Sequence, residues 1–288
     1  MRGTTSITRI NPLKAALLAL LLCVGFACSN DELPLEDLLV EDPQSEIPED
    51  DDKDDSADDG ESEDKDEDDD SSDEGSDSGN SNCTVGNYIF NETDGLVLVE
   101  FENADFSGDW ERRTNESGFT GDGYMVWTGS QFLGNPGNGL TTFSIRINDP
   151  GTYQFMWRSA VTTGNSGTDH NDTWLRFADA DDFFGQKGSS IVYPKGTGKT
   201  PNPAGATADG WFKIYRSGSD LSFKWQSSTF DNNGHDVFVT FDSPGVYTME
   251  ISARSSGHAI DKFVLFKDSI SKSDATGEGN TFSEISCN

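Results

Sequence analysis

The composition of this 288-residue chain breaks once, near residue 82, and the break decides which part can build a core. Residues 1–82 carry 26 acidic and 5 basic side chains; residues 83–288 carry 26 acidic and 15 basic ones and nearly all of the aromatic residues. Between residues 31 and 82, runs such as Asp50-Asp51-Asp52 and Asp66-Glu67-Asp68-Asp69-Asp70 mix with Ser and Gly, and apolar residues almost vanish after Ile47. Such a segment buries too little surface to offset the entropy of ordering, and its like charges extend it. Residues 28–82 are therefore expected to form a disordered acidic stalk. Its acids do not follow the ligand spacing of an EF-hand loop. The 206 residues from 83 to 288 are enough for one substantial core. A formal charge of −32 argues against DNA, RNA and anionic lipid as partners, all of which would be repelled.

The N-terminus has the parts of an export signal. Arg2, Arg9 and Lys14 precede an apolar stretch from Ala15 to Ala27, and Cys28 follows small residues. At about 13 residues the stretch is short of the roughly 20 needed to span a bilayer. Cys28 in this setting resembles the acylated cysteine of bacterial lipoproteins, with Gly25 and Phe26 departing from the usual residues before it. That resemblance implies a signal peptide over 1–27, a lipid on Cys28 and membrane attachment through acyl chains. Ser29-Asn30-Asp31-Glu32 resembles the acidic surface-export tag of Bacteroidota lipoproteins, which implies an outer-membrane location facing the exterior. Outer-membrane glycan-uptake proteins would then be neighbours.

With Cys23 in the signal and Cys28 lipidated, Cys83 and Cys287 remain. Two leftover cysteines in an oxidising compartment usually pair, and here they would fasten the two ends of the folded part; the alternative is two free thiols in frayed ends.

From Gly95 onward the pattern is of short strands and turns. Leu96–Glu102, Tyr124–Trp127, Thr141–Ile147, Thr152–Arg158, Thr173–Phe177, Trp211–Tyr215, Leu221–Trp225, Asp236–Phe241, Tyr247–Ser252 and Ile260–Phe266 are rich in aromatic and β-branched residues, and many alternate with period two. Asn148-Asp149-Pro150-Gly151 and Asp242-Ser243-Pro244-Gly245 have turn chemistry. No stretch invites a long amphipathic helix. The expected fold is all-β: a jelly-roll β-sandwich after a disordered acidic linker.

Four motifs, in order, carry a resemblance to carbohydrate-binding modules of the family 6 and 35 type. They are Glu100-Phe101-Glu102-Asn103-Ala104, Phe119-Thr120-Gly121-Asp122-Gly123-Tyr124-Met125, Ser243-Pro244-Gly245-Val246-Tyr247, and Gly257-His258-Ala259-Ile260-Asp261-Lys262-Phe263-Val264-Leu265. The resemblance covers roughly Gly95 to Lys267, and the long 160–235 region departs from the compact members. It implies a polysaccharide or oligosaccharide ligand and a structural calcium on Glu100, Glu102 and Asp261. Oxygen ligands on adjacent strands suit a hard cation, and the alternative is a salt bridge to Lys262 or a nearby arginine.

Sugar recognition needs an aromatic face and nearby polar side chains. Of the six tryptophans, Trp127, Trp157 and Trp225 lie in apolar strand patterns and read as core. Trp174, after a polar loop, and Trp211, at a loop exit, are the candidate stacking platforms. The polar candidates are His170, Asn171, Asp172, Asn232, Asn233, His235 and His258, drawn from three clusters rich in Asn, Asp, Ser and Gly. Such loops converge at one rim of a sandwich or simply build turns. The spacing of the three histidines gives no reason to favour a metal site.

The leading expectation is a lipid-anchored, non-catalytic polysaccharide binder. A polysaccharide lyase or glycosidase on the same fold is the first rival, with His170, His235 and Tyr215 as proposable bases, but no self-contained catalytic motif appears. An adhesion or envelope-structural module is the second rival.

Overall fold

The computed structural model describes residues 83–287. The expected signal peptide, the Cys28 lipid site and the acidic stalk lie outside the described residues. In chain order the strands are β1 (Tyr88–Asn91), β2 (Leu96–Glu100), β3 (Trp110–Arg113), β4 (Tyr124–Trp127), β5 (Thr141–Ile147), β6 (Gly151–Val161), β7 (Asp172–Phe177), β8 (Asp182–Lys187), β9 (Ser190–Val192), β10 (Thr207–Ala208), β11 (Trp211–Tyr215), β12 (Lys224–Trp225), β13 (Asp236–Phe241), β14 (Gly245–Ser252), β15 (His258–Lys267) and β16 (Ile285–Cys287). A single α-helical turn, Lys272–Ala275, is capped by the Ser271 hydroxyl, which accepts from the Asp274 amide at 3.1 Å.

The strands form two sheets, as the all-β sandwich expectation requires. The first has seven strands in the order β10-β11-β7-β14-β5-β1-β16. The second has nine: β3-β4-β15-β6-β13-β8-β9, with β12 also on β6 and β2 also on β15. β1 runs parallel to β5, while the ladders that flank the site described below are antiparallel. Alternation explains the layering. In β5, Thr141, Phe143, Ile145 and Ile147 are buried while the residues between them are less so, and in β13 Val237, Val239 and Phe241 repeat the pattern.

The core between the sheets is aromatic. Phe263 lies 5.2 Å from Phe143 and 5.3 Å from Phe101, ring centre to ring centre, and Phe155 stacks on it at 6.0 Å. Trp127 and Trp157 are core residues, as their strand patterns indicate, whereas Trp225 is only partly buried and packs with Leu98, Met156 and Val264 on the far side of the second sheet.

Several boundaries moved. The expected opening strand stops at Glu100, and a 3₁₀ turn over Phe101–Asn103 turns Phe101 into the core. The expected Leu221–Trp225 strand contracts to Lys224–Trp225. β1, β3, β8, β9, β10 and β16 were not expected; three of these are only two or three residues long, too short for a period to show. Cys83 and Cys287 are joined as a disulfide with their Cα atoms 5.4 Å apart, within the normal span for such a bridge.

Candidate functional site

Alternation along β11 sets up the site. Phe212 and Ile214 enter the core, so Trp211, Lys213 and Tyr215 belong to the other face of the first sheet. β7 runs antiparallel beside it, with Lys213 opposite Trp174 and Tyr215 opposite Asp172. Where β7 begins and β11 ends, a pocket of about 460 Å³ opens between the 168–172 segment and the 231–232 turn. Asn171, Asp172, Lys213, Tyr215, Asp231 and Asn232 are among its walls.

Of the three polar clusters, for which convergence and simple turn building were both open, two line this pocket and the third braces it. Arg254 and Ser255 bind the two carboxylate oxygens of Asp172. The His170 ring nitrogen Nδ1 is 2.7 Å from the Ser256 carbonyl oxygen. Asn171 donates its side-chain amide to the Arg216 carbonyl, and the Arg216 amide donates back to the Asn171 carbonyl at 3.0 Å, which ties the two strand ends together.

The backbone at the rim is unusual. Four non-glycine residues among those described have left-handed φ, and three belong to these segments: His170 at 53°, Phe230 at 67° and Asn232 at 60°. Asn tolerates this region, but a bulky residue such as Phe occupies it only where the surroundings enforce it, and such strain gathers at binding and catalytic sites.

The walls combine hydrogen-bonding side chains with one aromatic ring. Lys213, almost wholly buried, gives its ammonium to Asp231 and lies 5.4 Å from the centre of the Tyr215 ring. Burial, reinforced by the Asp231 charge, holds the Tyr215 phenol above its ordinary range, so it stays a neutral hydroxyl. Gly234 lies against that hydroxyl; a Cβ there would sit 3.1 Å from the phenol oxygen. The pocket thus offers the Asn232 amide and the Tyr215 phenol beside an aromatic ring, with Lys213 and Asp231 paired to each other and Asp172 held by Arg254 and Ser255.

Several expected site residues stand elsewhere. Trp174 is 1% exposed: its indole donates to the Phe132 carbonyl at 2.9 Å and Arg254 lies over its ring, so no face is free for a sugar. Trp211 is 4% exposed beneath the Arg176 guanidinium, 4.5 Å from the ring centre. His235 is buried between the Asn233 carbonyl and the Ser190 hydroxyl, at 2.6 and 2.9 Å. Asn233 accepts from Lys187 at 2.8 Å. His258 is an interior residue, bonded to Thr173 at 2.8 Å and packed against Trp157. Conversely, the pocket includes two residues outside the sequence-based set of sugar-binding candidates, Lys213 and Tyr215. The signal was present: both alternate with core residues on a strand leading into the polar segments.

The three carboxylates expected to hold calcium lie at a second place. Glu100 is buried, and no group stands in good hydrogen-bonding geometry to either of its oxygens, the Thr120 side chain doing most to stabilise its charge; one oxygen of Glu102 is likewise unpartnered. Burial pushes the Glu100 carboxyl up to about 7; Thr120 offsets part of this, and the charges of Asp261 and Glu102 add to it. Gly121, at φ 66°, has no side chain to collide with Glu102, whose other oxygen accepts from the Asp122 amide at 2.8 Å. Asp261 sits at a register shift in β15 and is bound by the Thr120 amide at 2.9 Å and by Arg158 at 2.6 Å. The arginine alternative is thus realised at Asp261, while the glutamates keep oxygens suited to a hard cation. Among the described residues, no three His, Cys, Asp or Glu side chains are already gathered as a metal cage.

The fold and pocket define a β-sandwich with a loop-built recess on one sheet face. No protein-family model matches the chain, and no curated protein is similar to it. Solved structures with some likeness include a β-1,4-mannanase of Podospora anserina that carries a family 35 carbohydrate-binding module. It is 17% identical, with 60% of this chain and 28% of that one covered and a TM-score of 0.36. A family 35 module from Cellvibrio japonicus is 15% identical over 60% of this chain and 93% of its own, with a TM-score of 0.35. One from Clostridium thermocellum is 13% identical over 60% and 98%, also at 0.35. The chain thus spans under a third of the mannanase, and no ligand or activity is carried over from any of these proteins.

Proposed function

We propose that the domain binds a polysaccharide without cleaving it, through the pocket between β7 and β11. The observation that carries this reading is the meeting of Asn171 and Asp172 with Asn232 at a rim where three non-glycine residues hold left-handed backbone. The pocket carboxylates support binding over catalysis: Asp172 is held by Arg254 and Ser255, and Asp231 by Lys213, so neither is poised to move a proton. In this proposal Cys28 is lipidated, the acidic run is a stalk, and the domain faces the exterior of an outer membrane beside glycan-uptake proteins. Tethering then raises the effective concentration of a weak site.

A glycan array and affinity gels loaded with plant and algal polysaccharides test the reading. Retention on at least one is expected, and retention on none would sink it. The Asn232→Gly variant keeps the backbone favourable and removes only the amide. It is expected to weaken binding about 10-fold, the loss of roughly one hydrogen bond, with an unchanged melting temperature.

Calcium belongs to the same proposal. Glu100 and Glu102 would hold the ion, with Asp261 beside them, and the ion would supply the counter-charge that the buried glutamates lack. Calcium is expected to raise the melting temperature and chelator to reverse the rise. Glu100→Gln is expected to be more stable than the parent without calcium, by on the order of 1–3 kcal/mol, because it removes an uncompensated buried charge. It should also lose the calcium response. A parent that melts alike with calcium and chelator would count against the ion.

A further inference from the structure

The same sheet face carries a second recess at the opposite end of β11. A pocket of about 490 Å³ opens beside Trp211, Arg176, Lys195 and Asp209, with Asn135 also in its lining. A larger one of about 620 Å³ adjoins it through Arg176 and Asp209. Between this recess and the first pocket, Lys213 and Trp174 are buried, so the two are separate openings and not one trough.

The walls have the parts of a sugar subsite. Arg176 lies over Trp211, its guanidinium carbon 4.5 Å from the ring centre, and is anchored by Glu250. The backbones of Lys195 and Asp209 pair, and the Gly210 amide donates to the Lys195 carbonyl at 2.8 Å, which fixes the two side chains at neighbouring positions. Both side chains are exposed. An ammonium and a carboxylate side by side suit hydroxyl groups, which donate and accept, better than a ligand of one charge sign. The recess is built largely from residues 195–211, within the region where the chain departs from the compact modules it resembles.

We propose that this recess is a second glycan subsite, and that one polysaccharide chain occupies both. Trp211 and Tyr215 are four residues apart on one strand, about 13 Å, and the 132–138 segment covers Trp174 between them, so the joining stretch is one of several linked sugar rings passing over that segment. The inference rests on the glycan reading of the first pocket and goes beyond it by requiring an internal stretch of a long chain as ligand.

Titration calorimetry with xylan-, mannan- and glucan-derived oligosaccharides of graded length tests it. A short oligosaccharide is expected to bind weakly at two sites per domain. A long one should bind at one per domain and about 100-fold more tightly, through linkage of the two sites. A Lys195→Ala/Asp209→Ala variant alters only exposed side chains. It should reduce the short-ligand stoichiometry from two to one and remove the length advantage, while Asn232→Gly should weaken the other site. One site per domain at every length, with affinity indifferent to the Lys195 and Asp209 changes, would overturn the second subsite and leave the first intact. Failure of every oligosaccharide to bind would overturn both.

Discussion

Replacing Cys83 and Cys287 together by serine is expected to lower the unfolding free energy by several kcal/mol. The bridge joins residues 204 apart in sequence. In the chain-entropy description, a loop of that size restricts the unfolded chain by about 5 kcal/mol at 25 °C, and measured losses for native bridges usually fall within 2–5 kcal/mol. The native contacts that would remain at this seam are modest. β16 is a three-residue strand paired through Tyr88–Cys287, Ile89–Ser286 and Phe90–Ile285, with Ile285 exposed. β1 keeps its hold through β5 and the buried Ile89 and Phe90, so the sandwich should survive while its edge frays. Urea unfolding of parent and variant measures the difference. A lower midpoint with a steeper slope is the expected result, because the unbridged unfolded chain exposes more surface, and a change under about 0.5 kcal/mol would mean the bridge does not restrain the chain. The pocket between β7 and β11 lies on strands distinct from this seam, so the affinity proposed for it should be unchanged.

Acidification should destabilise the domain through His258. The imidazole is fully buried, and burial first, the Arg216 charge second, hold its pKa down at about 3. In the unfolded chain it takes up a proton near 6.5. Between those values the unfolded state binds a proton that the folded state refuses. The stability it contributes is therefore complete above about pH 6.5 and falls by about 1.4 kcal/mol per pH unit on the way down to 3. The carboxyls of Glu100, Glu102 and Asp261, all raised by burial, act in the opposite sense: the folded form gains protons before the unfolded one as pH drops, Glu100 from about 7. The two effects oppose each other over the upper part of the range, so the steep loss is expected below about pH 4.5. The ring resonances of His258 report its protonation directly. They should stay constant between pH 7 and 4.5, and a midpoint for His258 near 6.5 would refute the buried, neutral assignment.

The sandwich was legible because its long strands alternate. Residues such as Phe143, Ile145 and Ile147 in β5, or Val237, Val239 and Phe241 in β13, announce one buried face. The pocket was legible in part, because Asn171, Asp172 and Asn232 sit where turn chemistry interrupts that alternation. Trp174 was misread for a reason outside its own strand. It lies on the outer face of the first sheet, where local pattern places it in solvent. The segment from Phe132 to Asn138 crosses over that face and seals it, with the Ala253 amide donating to the Asn138 carbonyl at 2.8 Å and the Gly137 amide to the Ser252 hydroxyl at 2.9 Å. Contacts of such sequence separation leave no trace in a local window. His258 was misread in the same way: Gly257 and the preceding serines look like a surface turn, yet the side chain points inward, and only the pairing of β15 with β6 decides that.

The central claim is that a glycan sits in the pocket between β7 and β11. Side-chain amide and aromatic resonances of the isotope-labelled domain, followed while a retained oligosaccharide is titrated, test it most directly. The account predicts saturable shifts at the Asn171 and Asn232 amides and the Tyr215 ring. Saturable binding with those three signals unmoved, and with the shifts confined to residues around Glu100 and Gly121, would contradict it.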